Sequence, residues 1–491
     1  MVYKGSLTVF LSLTTLMILS LILSLVELLH FNMLRKYTDN VSDIAIESGL
    51  ADFNRLLLKD YGILAVDMGY CKPNMRIDKY ESRMLSYIED NLDSEGVNFL
   101  RAMPKIARVK SYGLITDNSG AAFIKEAAKD MEYRFPDMLV EKLKESADGQ
   151  GLTDGERDVD NMLNSCADSI KYAEDSENVD SKDRIESPLN PEEQRLLEEN
   201  GSPVDNAMEW RGKAVLAQVV GDTEALSKET LTSSNDLELR AKNAETMNEI
   251  VVNPKEKMLY AAYLKTSFGN YTKSSGHKGL SYEWEYVLNG KSSDIENLEA
   301  TVVKLLAQRE AANLAFLIND SAKLTEAESI STAICAGLAM PALIEPVKWG
   351  IVAAWAYLES VLDVRLLLAG GKVSVIKSKE EWTSNILLLP NYMDTSVMAK
   401  DSGKGLSYED YLMAMTLISS VEKLGIRGLE LIENSLKQND DYSEIRIENF
   451  AYYIEAEYEY EASPVFATLI PMTGGILTNY SFCFSKKLSY L

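Results

Sequence analysis

The stretch from Gly5 to Val26, GSLTVFLSLTTLMILSLILSLV, holds no charged residue, with Lys4 before it and Glu27 after it. As a helix rising about 1.5 Å per residue it reaches roughly 33 Å, the thickness of a bilayer's hydrocarbon core. A fold for this chain must either bury a helix that is apolar on every side or leave it in lipid. Secretory signals have a shorter apolar core, about 7–15 residues, and an A-x-A-like cleavage site. This run is longer, and the first alanine is Ala45. The expectation is an uncleaved transmembrane anchor built from Gly5, Leu7, Phe10, Leu16, Leu25 and Val26 with their neighbours. Positive charges flank it on both sides, Lys4 before and Arg35 and Lys36 after, so the positive-inside count is close to balanced. Long domains cross largely regardless of such charges, and the expected placement is a single-pass cell-membrane protein with its large domain extracytoplasmic.

Composition narrows what that domain can bind. Of 491 residues, 75 are acidic and 50 basic, a formal charge of −25, while 46% are hydrophobic, enough for a sizeable core. Nucleic acid is excluded as a partner, because phosphates need clustered Lys and Arg. A polybasic attachment to anionic lipid is excluded on the same ground. Cys71, Cys166, Cys335 and Cys483 are far apart and form no C-x-x-C, so no metal ribbon or redox pair is expected. Cys335, in an apolar run, and Cys483, in a predicted strand, read as small hydrophobes. His30 and His277 are the only histidines; a Ser-His-Asp or Cys-His centre would have to use one of them.

The apolar period continues past the anchor. Leu34, Tyr37, Val41 and Ile44 recur at helical spacing, a stripe that packs either on the protein's own domain or on neighbouring subunits of a homo-oligomer. The helix gives way at YGILAVD, 61–67. Residues 75–93 and 120–145 read as amphipathic helices, with KSYGLITDN extended between them. Residues 146–204 are dense in Asp and Glu and read as a flexible acidic insert. Residues 205–250 read as a long polar helix. Ser293 and Glu296 form a capping-box pattern opening a further helix, with Asn289-Gly290 ending the element before it. STAICAGLAMPALI, 331–344, is too short for an ordinary span and reads as a buried helix. Pro346 suits the first turn of the next helix, which carries Trp349, Trp355, Glu359, Asp363 and Arg365 and ends at Gly370-Gly371. Two more helices are expected near 407–422 and 426–437. The period then becomes two: Ile454, Ala456, Tyr458 and Tyr460 alternate with glutamates, and Tyr480, Phe482 and Phe484 mark a partner strand.

The expected fold class is mainly α with a small antiparallel β element (α+β): an N-terminal transmembrane helix and a large helical domain. The expected parts are 1–60, the anchor and its helical extension; 61–145, a first α/β subregion; 146–204, the acidic insert; 205–441, a helical domain; and 442–491, an antiparallel hairpin.

Motifs for chemistry are few. Gly370-Gly371-Lys372 and Gly403-Lys404-Gly405 miss the phosphate-loop pattern G-x-x-x-x-G-K-[ST] and read as helix cap and loop. Asp158 and Asp160 lie close together but outside any EF-hand loop. Tyr282, Glu283, Trp284, Glu285 and Tyr286 mix aromatics with carboxylates. They read as a packed amphipathic segment, as a ligand surface formed by Tyr282, Trp284 and Tyr286, or as a carboxylate pair for acid–base work. Glu283 and Glu285, two apart, would point apart on a helix. Glu27 either reaches headgroup water or pairs with a positive group of a neighbouring subunit. No catalytic residue, cofactor or metal is expected.

The opening KGSLTVFLSLTTLMILSLILSLVELL resembles the amino-terminal helix of proteins associated with Tad (tight adherence) pili, of the TadE/TadG kind. LLLKDYGILAVDMGY at 56–70, YEWEYVLNGKSSDIENL at 282–298 and AWAYLESVLDVRLLLAGGKVSVIK at 354–377 resemble a family of uncharacterised membrane-anchored proteins from Gram-positive bacteria. The resemblance implies a non-enzymatic envelope protein with its domain outside, working beside Tad-like pilus or secretion components. It departs from prepilins, which are cut after a glycine and carry glutamate at the fifth mature position: counted from Gly5, that position is Phe10. Processing as a major pilin is therefore not expected. The alternative is a surface-anchored binding module for a carbohydrate, peptide or wall polymer, using aromatics near 282–286 and 349–355.

Overall fold

The structure, a computed structural model, describes residues 3–92, 101–134, 155–174, 187–231, 237–241, 244, 250–338, 340–469 and 479–491. They are mainly helical, with one small antiparallel sheet. Two compact units are assembled from interleaved segments: 1–130, 236–256 and 428–491 form the first, 131–235 and 257–427 the second. The parts expected from sequence are contiguous; these units are not.

In the first unit, α1 (Tyr3–Ala51) is one continuous helix. It is the one helix among the described residues long and apolar enough to cross a membrane, and its apolar window is not buried in the protein. Leu7, Phe10 and Leu25 are more than half exposed, and Leu16 is exposed to a lesser degree. In its second half Leu34, Thr38, Val41, Ser42, Ala45, Ile46 and Leu50 turn into the core, at the three- and four-residue steps that line one helix face. Asn54 then caps α2 (Arg55–Tyr61) by accepting from the Leu56 and Leu57 amides, and Gly62, at φ 69°, closes it.

The sheet is built around β3 (Phe450–Ala462). β2 (Ala102–Leu114) runs antiparallel along one edge; β4 (Tyr480–Ser489) and the short β1 (Val66–Asp67) share the other. Ala456, Tyr458 and Tyr460 of β3 are buried against the second half of α1 and against α3 (Ile77–Leu92), which contributes Tyr80, Met84, Ile88 and Leu92. The alternating glutamates face outward, where Lys105 meets Glu461 at 2.7 Å and Lys110 meets Glu457 at 3.1 Å. The strand pair expected at 442–491 is therefore the C-terminal half of a four-stranded sheet. The helix expected over 120–145 is described as α4 (Asp117–Arg134); its remainder lies outside the described residues.

The second unit is organised by α7 (Ile344–Leu368), buried on every face from Gly350 to Leu368. It packs against α5 (Gly155–Glu174) and α6 (Asp294–Asn319). The Ser293 hydroxyl accepts from the Glu296 amide to start α6, and Gly290, at φ 65°, ends the helix before it.

Two expectations are corrected here. The described part of 146–204 includes two helices, and Val159, Leu163 and Cys166 of α5 are buried. One apolar face at steps of four and three was enough to dock it despite its acidic flanks. Over 205–250 the described residues form short pieces, Pro203–Arg211, Val215–Val219 and Leu237–Arg240, instead of a long helix.

Candidate functional site

The first candidate lies at the end of the apolar run of α1, where the helix enters the core of the first unit. One helical turn brings Glu27 and His30 to the same face of α1, where both are 6% exposed. Glu27 Oε2 accepts from the backbone amides of Phe466, at 2.5 Å, and Ala467, at 2.8 Å; Oε1 accepts from the Tyr480 hydroxyl at 2.9 Å. His30 Nδ1 lies 3.5 Å from Oε1, and its ring meets Phe466 edge-on. One turn up, Phe31 packs on Tyr480 and Phe482. A carboxylate with three donors is well satisfied as an anion, so the site is a latch holding the β3–β4 connection to the end of the apolar run.

This corrects both readings of Glu27: it neither reaches headgroup water nor needs a neighbour's cation. The donors lie more than 400 residues along the chain, two in a turn with no sequence signature and the third at the start of β4. The stripe is corrected with it. Leu34 and Val41 are buried in the protein's own core, and the half-buried Tyr37 donates its hydroxyl to the Asn91 carbonyl at 2.8 Å. Of the five residues expected to face another subunit, Ile44 alone is exposed, at 40%.

The second candidate, Tyr282–Tyr286, is no ligand surface: Tyr282, Trp284 and Tyr286 are buried. Trp284 Nε1 donates to Thr416 Oγ1 at 3.0 Å. Glu283 Oε2 accepts from the Gly269 amide at 2.6 Å, with His277 Nδ1 3.0 Å from Oε1. Glu285 Oε1 accepts from the Tyr408 hydroxyl at 2.6 Å and the Tyr271 amide at 2.8 Å. Burial outweighs these donors and pushes the Glu285 carboxyl up to about 7. The two carboxylates serve separate partners and do not face one substrate; each staples a loop to the helix Glu283–Asn289.

The helix residues noted in the sequence assemble a buried ionic network that spacing alone did not reveal. Asp363 Oδ2 accepts from Arg309 Nε at 3.0 Å and Asn313 Nδ2 at 2.9 Å. Lys377 reaches both Asp363 and Glu359. Glu359 also accepts from the Thr383 and Ser384 amides, and Arg309 donates to the carbonyls of Ser374 and Val375. Two acids and two bases balance, and the network ties α6 and α7 to the loop that follows.

Trp355 is wholly buried, whereas Trp349 is half-buried on a groove of about 610 Å³ lined by Asn161, Met162, Ser165, Ile318, Glu345 and Pro346. Trp349 Nε1 donates to Glu345 Oε1 at 2.9 Å. Gly370, at φ 88°, closes α7, and Gly403, at φ 67°, sits in a turn. Asp160 pairs with Arg211 at 2.8 Å, and among the described residues no group of three His, Cys, Asp or Glu is placed to hold a metal ion. The four cysteines are free; Cys335 is buried, but Cys483 is exposed on β4 beside Glu457, which corrects its reading as a small hydrophobe.

No curated protein and no solved structure matches the chain. A family of unknown function, DUF5702, matches residues 193–462, more than half of the length, running from within the helix Pro191–Asn200 to the end of β3. The chain therefore belongs to this family.

Proposed function

We propose that this is a non-enzymatic, single-pass envelope protein with its large domain outside, acting as a structural or assembly component of a Tad-like pilus or secretion system. The observation that carries the reading is the continuity of α1. The helix that offers an exposed apolar surface in its first half is a core element of the first unit in its second, and Glu27 latches the two at the boundary. Anchor and first unit move as one body, which suits a part that bears load or sets geometry in a membrane assembly. A tethered binding module needs only a flexible linker. The resemblance of the opening helix to TadE/TadG-like proteins supports the choice of machine.

The test is crosslinking in cells followed by purification of the membrane complex. Tad-like components are expected in it, and their absence removes the proposal's main support. Protease shaving of intact cells with terminal sequencing checks placement. A shaved domain with a start at Met1 or Val2 is expected. A start at Ser6 indicates pilin-like processing, and a protected domain places it in the cytoplasm.

One observation favours a second reading, a surface module for a wall polymer or carbohydrate. The Trp349 groove offers an indole face beside Asn161, Ser165 and Glu345, the pairing of aromatic surface with polar groups that sugars require. Trp349→Ala should then abolish binding to isolated cell wall with the melting temperature unchanged; undiminished binding removes this reading.

A further inference from the structure

We propose that the turn after β3, residues 463–469, rests in the interfacial layer of the bilayer and gives the domain a second contact with lipid. Its height is fixed by the latch: the amides of Phe466 and Ala467 bond to Glu27, the first residue past the apolar run. The outer face of α1 stays apolar beyond that level, with Leu28 56%, Leu29 64% and Met33 59% exposed. Leu7 to Met33 is about 39 Å of helix. That exceeds a hydrocarbon core of about 30 Å but fits within the roughly 40–45 Å that includes both headgroup layers. The membrane face therefore lies at or above Glu27, and the turn lies at the same depth.

The chemistry of the turn fits this place. Pro464, Val465, Phe466, Ala467 and Leu469 are apolar, and Leu469 is 63% exposed. From Ala462 to Ser485 the chain carries no charge, although a quarter of the protein's residues are charged. On α1 itself the first charges past Glu27 are the exposed Arg35 and Lys36, about 12 Å further up the helix, and the next charge after the turn, Lys486, pairs beyond them with Asp39 and Asp43. Lipid is favoured over a protein partner because the turn continues the apolar surface of the anchor at one height. The inference does not depend on the pilus assignment.

The full chain is reconstituted in phosphatidylcholine vesicles and must float with them; failure to float overturns the anchor and this proposal together. The emission of Leu469→Trp over wild type isolates the new indole. Lipid brominated high on the acyl chains should quench more than half of that difference emission, and acrylamide should quench little of it. Difference emission untouched by bromine overturns the proposal, whether acrylamide reaches the indole (water) or does not (a protein neighbour). Should Leu469→Trp melt below wild type, Thr468→Trp, also exposed, is read in the same way.

Discussion

At the scale of single residues, burial decides what a carboxylate does here. Glu27 is held by three donors in a site 6% open to solvent. Glu27→Ala leaves two amides and a hydroxyl unpartnered, and the net loss should be about 2–3 kcal/mol. It is read as a lower melting temperature in detergent and faster exchange of the Phe466 and Ala467 amides. Glu285 gives a pH signature. Its folded carboxyl is pushed up to about 7 from a reference of 4.5, so between those values the folded state holds the proton more firmly than the unfolded one. Stability should therefore fall as pH rises from about 4.5 through 7. Glu285→Gln keeps an acceptor for Tyr408 and should flatten that slope, most visibly as a gain above pH 7. Glu126, raised to about 7 by burial, contributes with the same sign and leaves a residual slope. Trp284→Ala should cost about 3–5 kcal/mol through its cavity, whereas half-exposed Trp349 should tolerate alanine.

At the scale of elements, close approach matters more than acidity. Gly350 lets α5 lie against α7: a Cβ there would stand 2.6 Å from Cys166 Sγ and 2.8 Å from its Cβ. Gly350→Val should overpack this contact and cost about 1–3 kcal/mol, read as a lower urea midpoint. The Cys166→Ala, Gly350→Val double variant should recover part of it, since the sulfur is the atom displaced. The same contact shows what the sequence could and could not disclose. The two-residue alternation of β3 was legible because each residue of a strand reports its face directly. The Ser293 cap and the long apolar helix were legible because their signals are local. The docking of α5, which among its described residues buries Val159, Leu163 and Cys166, was lost in the acidic average of 146–204. Tyr282 to Tyr286 read as a packed segment, as they prove to be, but a ligand surface and a carboxylate pair stayed open for a related reason. A buried carboxylate looks like an exposed one until its donors, here Gly269, Tyr271 and Tyr408, are brought in from elsewhere. The Glu27 latch and the Arg309–Asp363–Lys377 network are likewise long-range pairings without a spacing rule.

At the scale of the whole chain, connectivity separates the fates of the two units. The central strand of the first unit's sheet, β3, is among the last elements of the sequence, while the helix it covers, α1, is the first. A chain ending at Asn449 keeps every residue of α6, α7 and their ionic network but loses β3 and β4. Leu34, Val41, Ile46, Leu50, Tyr80, Met84 and Ile88 would then lose the sheet they pack on. At about 1.5–3 kcal/mol for each large apolar side chain, the loss exceeds roughly 10 kcal/mol, comparable with the entire stability of an ordinary domain, about 5–15 kcal/mol. In hydrogen exchange the truncated chain should show α1 unprotected over residues 34–50 and α3 unprotected throughout, with α6 and α7 still slow. Loss of protection in α6 and α7 as well would mean that the second unit has no stability of its own. Retained protection in α1 would mean that its helix does not depend on the sheet, and the first unit would then not hold α1 as one body with it. The expected result has a consequence for folding. A growing chain would present the apolar inner face of α1 until β3 and β4 have been made, so the core of the first unit closes only then.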